Sequence, residues 1–269
     1  MNNSYKKSNF GAAFFFLSKE QKEALGIVYS FCRLTDDIVD DTPATAPEQL
    51  KDLREEIELI FNGKPKTELG KDLKKVLAKF SIPKEYFFAL IEGVESDLKI
   101  PVRFKTQEDL NWYMYRVASV VGFMCIEIFG YKNPIAKQYA ETLGYAVQLT
   151  NILRDIYEDK SLNRIYLPLE DLAKFNISED EFLALNPSEK LKSLLSYEAD
   201  KAQKLYDKAH QLLPEEDFKT LLAARAMGLI YEEILFKIKQ KSCLPQEKKI
   251  QLSKLEKICI LFKAWRKHL

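Results

Sequence analysis

The chain has 269 residues, 46% of them apolar, with 9 Gly, 10 Pro and a formal net charge of +1. This is enough apolar material to bury a sizeable core in one large helical domain or two small ones, and the near-zero charge argues against nucleic acid as the main partner. Only two histidines, and four cysteines without CxxC spacing, argue against His-based metal sites, a zinc site and a disulfide frame.

Ser8–Leu17 reads as a short aromatic entry segment with Gly11 as its joint. Ser18, with Gln21 at the capping-box position, opens a helix expected to run to Asp41. On that helix Tyr29, Arg33, Asp36 and Asp40 share an arc of about 60°, and Ile27, Phe31, Leu34 and Ile38 lie opposite. Pro43 and Pro47 mark the following turn. Amphipathic helices are expected over Glu48–Phe61, ending at the Asn62-Gly63 turn, over Thr67–Phe80, and from Ser81-Ile82-Pro83 onward. The last of these ends near Asp97, which reads as a functional polar group or, more readily, as a water-exposed helix end; Gly93 on it permits close approach by a neighbour.

Thr106–Gly130 carries Leu110, Tyr113, Met114, Val117, Val121, Met124 and Ile128 at helical spacing. Ala118, Ser119 and Gly122 place small residues within one turn, leaving a groove beside the backbone suited to a long apolar ligand. Asn133-Pro134 breaks the chain before the helix that ends in YAVQLTNILRDIYEDKSLNRIYLP. There Gln148, Asn151, Asp155, Glu158 and Asp159 fall within roughly 100° of arc, beside an apolar stripe of Tyr145, Leu149, Ile152, Leu153 and Ile156. No Lys lies on the polar stripe to offset it. Like charges at i,i+4 cost roughly 0.2–0.5 kcal/mol, a cost that a cation reverses. Hard oxygen donors one turn apart suit Mg2+, or Mn2+ in its place, with water and phosphate completing the shell. A solvated acidic face explains either acidic pair alone; two matched pairs on separate helices favour a site.

Ser161–Pro168 is expected as a loop bringing Arg164 and Tyr166 to the carboxylates, with Arg164 either gripping phosphate oxygens or pairing with a motif acid. Connectors at Glu170–Phe175 and Ser178–Leu185 lead to a helix from Pro187 to Leu213 and another over Phe218–Gln240, which carries Arg225 and Tyr231. Lys241–Leu269 holds eight Lys or Arg against Glu247 and Glu256. That is a solvated face, or a peripheral contact with a membrane surface. The apolar stripe of Thr106–Gly130 is more often core than pocket, no 18-residue apolar run exists, and no secretory pattern precedes the first helix despite Lys6 and Lys7. A cytoplasmic protein, at most peripheral at the inner membrane surface, is the expectation.

The runs QLTNILRDIYEDKSLNRIYLP and YSFCRLTDDIVDD resemble the squalene/phytoene synthase family, and the resemblance spans nearly the whole chain. It implies an all-α, single-domain helical bundle of the isoprenoid synthase type with a central cavity. The implied activity is Mg-dependent head-to-head joining of two farnesyl or geranylgeranyl diphosphates through a cyclopropyl diphosphate. The products are squalene or dehydrosqualene, or phytoene, with NADPH used only for squalene and no nicotinamide fingerprint present.

By the same resemblance Asp36, Asp40, Asn151, Asp155 and Asp159 hold the metal. Arg33, Arg154, Arg164 and Gln148 serve the diphosphates, and Lys249 stands where an Arg is usual. Val117, Ala118 and Gly122 line the tunnel with Tyr113, and Ser119, where Gly is frequent, is expected to narrow it. Tyr29, Tyr113, Tyr166 and Tyr231 are candidates to face a carbocation. Ser8 and Asn9 are weaker substrate-binding candidates. Tyr157, where Gly is common, is expected to pack on a neighbouring helix. A head-to-tail prenyltransferase or terpene cyclase, and a non-catalytic helical membrane or assembly factor, are the competing readings.

Overall fold

The structure, a computed structural model, describes residues 14–266; Ser8, Asn9 and Gly11 lie outside them. A short 3-10 turn, Phe14–Phe16, precedes α1 (Lys19–Asp41). The capping box opens α1 as its sequence dictates: Ser18 Oγ accepts from the Gln21 amide at 3.2 Å, and Gln21 Oε1 accepts from the Ser18 amide at 3.1 Å. There follow α2 (Ala46–Phe61), α3 (Glu68–Leu77) and α4 (Lys84–Glu95). A two-residue strand β1 (Val102–Arg103) leads to α5 (Gln107–Met114), which runs through a π-helical turn (Tyr115–Ser119) into α6 (Val120–Phe129).

Next come α7 (Ile135–Ser161), β2 (Arg164–Ile165), the short α8 (Leu169–Lys174) and α9 (Glu179–Ala184), and then α10 (Glu189–Leu212), α11 (Leu222–Gln240) and α12 (Lys254–Arg266). The expected 161–168 loop is therefore interrupted: β2 pairs in parallel with β1, Val102 opposite Arg164 and Arg103 opposite Ile165. Arg103 fixes that corner by donating to the Asn163 carbonyl at 2.7 Å.

The longest helix, α7, is the axis of the bundle, packing on α10, α11, α6 and the π turn. Two glycines set the closest approaches. A Cβ on Gly144 of α7 would lie 2.8 Å from Ser119 Cα, and one on Gly93 of α4 would lie 2.6 Å from Arg116 Cβ. Ser119 thus faces α7, donating to the Glu141 carbonyl at 3.0 Å, and does not narrow the tunnel. By length and composition Gln107–Phe129 would span a bilayer; here it is half buried against α1, α4 and α7, which accounts for its apolarity.

On α1 the buried face is Ala24, Leu25, Val28, Phe31, Thr35, Ile38 and Val39. Leu34, expected in the core, is exposed; the buried stripe is rotated because α1 packs on α3, α4 and α6 together.

Candidate active site

Between α1, the π turn with α6, α7 and α11 lies a cavity of about 580 Å³. Along α7 its wall runs from Tyr139, Ala140, Leu143, Gly144 and Val147 to Gln148, Asn151, Arg154 and Asp155. The oily and polar ends are therefore separated along one helix. The polar end is completed from α1 by Tyr29, Arg33, Asp36 and Asp40, and the apolar wall by Val117, Ala118 and Gly122. The π turn sits at this wall, where such bulges re-aim side chains. Tyr231 of α11 lines the cavity beside Arg154.

Both acidic motifs thus reach one cavity from separate helices, through Asp36 and Asp40 of α1 and Asp155 of α7, but their carboxylates are not equally neutralised. Arg154 grips Asp155 through two bonds of 2.7 and 2.6 Å. Lys249, from the loop before α12, reaches Asp155 at 3.3 Å and Glu158 at 2.6 Å. The cation absent from the polar stripe of α7 is supplied by a residue ninety-four positions away in the chain, roughly. Arg164 donates from both terminal nitrogens to Asp40 at 3.2 Å, and Arg33 pairs with its helical neighbour Asp37 at 2.5 Å.

Asp36 and Asp159 remain without such a grip. Burial raises the Asp36 carboxyl to about 7, against the lowering effect of Arg33. Burial, then repulsion from Asp155, raises Asp159 to about 7. Two buried atoms at this end also have no hydrogen-bond partner: the acceptor Asn151 Oδ1 and the donor Arg164 Nε. A buried polar atom left unpaired costs roughly 1–3 kcal/mol, so the pair marks a place built to meet polar ligand atoms.

Asp97 corrects its expected role. It is buried, accepting from Tyr113 Oη at 2.9 Å and from Tyr166 Oη at 3.1 Å. The two rings stack with centroids 5.2 Å apart, and burial lifts the Asp97 carboxyl to about 6 against the lowering field of Arg164. Its charge acts on Asp36 and Asp159 alike, so it lies between the two motifs. Tyr113 and Tyr166 consequently stand behind the cavity wall, as a plinth for β2. Asp159, Arg164 and Lys249 also lie at its rim rather than among the wall residues. A helix ending in polar residues looks the same in sequence whether or not later segments cover it, and Asp97 is met by Tyr113 of α5 and by Tyr166 just after β2.

Cys32 and Cys125 were not anticipated in the site; both line the cavity, and burial raises both thiols, Cys125 to about 12. Their interleaving with Val28, Tyr29 and Val121 at helical spacing was the available signal. Tyr157 does point away from the carboxylates, but it meets the loop before α12 rather than a helix, donating to Glu247 at 3.3 Å. Arg225 is buried against the Phe218 carbonyl and ring, away from the polar end of the cavity.

An all-α bundle enclosing an apolar cavity with acidic and basic groups at one end defines an isoprenoid-synthase-type protein. A family model described as squalene/phytoene synthase matches residues 4–256. Presqualene diphosphate synthase of Rhodopseudomonas palustris is 34% identical over 256 residues, covering 94% of this chain and 91% of that protein. The 15-cis-phytoene synthase of Synechococcus elongatus is 30% identical, covering 91% and 84%. Among solved structures, a dehydrosqualene synthase superposes with TM-score 0.88 at 27% identity, covering 98% of this chain and 93% of that one. The squalene synthase of Alicyclobacillus acidocaldarius gives TM-score 0.82 at 27% identity, covering 90% and 92%. The chain belongs to the squalene/phytoene synthase family.

Proposed function

We propose that the chain joins two farnesyl diphosphates head to head, through a cyclopropyl diphosphate, with release of diphosphate. The observation that carries this is the cavity itself: one apolar compartment with Asp36, Asp40, Asp155, Arg33 and Arg154 gathered at a single end, and Arg164 paired to Asp40 beside it. Two prenyl diphosphates entering tail first would leave both head groups at that end, with their reacting carbons side by side.

Chain length follows from the same wall. From Asn151 to Tyr139 there are twelve residues of α7, or about 18 Å of helix. An extended farnesyl chain measures about 15 Å and a geranylgeranyl chain about 20 Å at ordinary bond lengths and angles. We take the shorter chain as the better match to this span. The similarity to presqualene diphosphate and dehydrosqualene synthases supports the shorter substrate.

Divalent metal is part of the proposal. Among the described residues no three carboxylate, Cys or His groups converge on one point. A cation here would take carboxylate oxygens from both motifs and complete its shell with water and substrate oxygens, as Mg2+ or Mn2+ prefers. Asp36 and Asp159, raised by burial, and the unpartnered Asn151 Oδ1 fit that donor chemistry. Asp40 and Asp155 complete the set. When bound, the metal supplies charge stabilisation to the departing diphosphate.

The protein's own contribution is position and field. Arg154, Arg164 and Arg33 face the diphosphate oxygens, Arg164 with Nε still free to donate, and Gln148 lies one turn before Asn151. Breaking the C1–O bond of one substrate leaves an allylic cation inside the cavity. The C2–C3 double bond of the second attacks C1 of the first, and loss of a proton closes the three-membered ring. Val117, Ala118 and Gly122 keep water from that cation, and the faces of Tyr29 and Tyr231 stabilise it without attacking it.

Incubation with Mg2+ and farnesyl or geranylgeranyl diphosphate, with and without NADPH, followed by mass analysis, tests this. Expected are C30 products from the farnesyl substrate, and a change to squalene only where NADPH is consumed. Phytoene alone overturns the chain length; cyclic C15 or head-to-tail products overturn the reaction.

A further inference from the structure

The helix α12 is apolar on two opposite faces, and only one of them is used. Ile260 and Ala264 are buried against α11. On the far side, about 160° round the helix, Leu255, Ile258, Phe262 and Trp265 fall within an arc of about 80°. They are 75%, 60%, 55% and 47% exposed. Four large apolar side chains in one open stripe on a surface helix are not accounted for by packing among the described residues.

The charge around this stripe is of one sign. Lys254 borders it on one side and Arg266 on the other, both exposed, with Lys257 a further step round; Arg266 lies over the Phe262 ring at 6.0 Å. The acid of this helix, Glu256, is turned away and neutralised by Lys237 at 2.6 Å. We propose that this stripe of α12 lies on an anionic lipid surface, with Leu255, Ile258, Phe262 and Trp265 in the acyl boundary and Lys254, Lys257 and Arg266 against the head groups.

A second copy of the chain is the poorer occupant for two reasons. Thirteen residues of helix make a strip about 20 Å long and 10 Å wide. Two such strips bury about 400 Å², well below the roughly 1,200 Å² of a stable interface. A twofold pairing would also set each basic border against itself, with no acid on this face to compensate.

Flotation of the full chain with vesicles of equal phosphatidylglycerol and phosphatidylcholine, against phosphatidylcholine alone, is the test. Expected is co-flotation with the anionic vesicles and little with the neutral ones. In Ile258→Ser/Phe262→Ser the bound fraction should fall about tenfold or more while the circular dichroism spectrum is unchanged, and Lys254→Gln/Arg266→Gln should weaken binding and its salt dependence together. Equal flotation of wild type and both variants, or no flotation of the wild type, overturns the proposal. So does a vesicle-free dimer, seen by analytical ultracentrifugation, that the Ile258→Ser/Phe262→Ser variant dissolves. The vesicles carry no substrate, so failure here leaves the prenyl-transfer reading untouched, and failure of that reading leaves this result untouched.

Discussion

Asp36 and Asp159 hold their protons up to about pH 7 because burial strips water from carboxylates that no lysine or arginine clasps. Raised folded-state values mean that their contribution to stability is fully present below the unfolded value near 4 and is lost as pH rises through 7. Asp159→Asn should therefore be more stable than wild type at pH 8, by roughly 1–3 kcal/mol and a few degrees in Tm, and no more stable at pH 4; thermal melts at both pH values check it. The same variant should lose turnover about a hundredfold, since its charge is what the proposed metal needs.

Asp155 is the opposite case. Asp155 is clasped by Arg154 and Lys249; its removal leaves the Arg154 guanidinium uncompensated and Lys249 with Glu158 alone. Asp155→Ala should then lose both activity and roughly 1–3 kcal/mol of stability in urea titrations. Repulsion along one helix, all that the i,i+4 spacing reveals, would have left stability unharmed. Asp97→Asn should lower kcat/KM roughly 10–100-fold with the helix content unchanged, because the Tyr113–Tyr166 stack, and through β2 the Arg164 guanidinium, rest on that carboxylate.

At the scale of elements, the boundaries of α1 and α7 follow from local chemistry: the Ser18–Gln21 box, and Asn133-Pro134 ahead of Ile135. What local chemistry does not contain is the approach of one element to another. A methyl added to Gly144 would have to occupy the space of the Ser119 backbone, at 2.8 and 2.9 Å, and backbone in the middle of a packed turn cannot yield as a side-chain tip can. Gly144→Ala should cost roughly 1–3 kcal/mol, read from denaturation midpoints. It should also alter product length or yield, because α6 and α7 form two walls of one cavity.

At the scale of the molecule, a buried ionic node ties the far side of the bundle together. Lys201 of α10 donates to Gln107 of α5 at 2.7 Å and to Glu198 at 3.1 Å, and it pairs with Asp171 of α8. Burial raises Glu198 to about 8, against the lowering field of Lys201. Being raised, it stabilises the fold below its unfolded value near 4.5, and that contribution is lost as pH rises through 8. Wild type should lose stability between pH 6 and 9, and Glu198→Gln should flatten that slope; urea midpoints at the two pH values decide it.

Periodicity and capping by themselves determined the helices and the two acidic pairs, because an amphipathic helix writes its faces into its own residue order. Only the tertiary structure decided which carboxylates are paired and which stand alone. Lys249 and Arg164 come to Asp155 and Asp40 from distant segments, and Tyr113 and Tyr166 close on Asp97. Spacing along a chain fixes what one helix can present; the burial and charge that a carboxylate feels depend on what the rest of the chain brings against it.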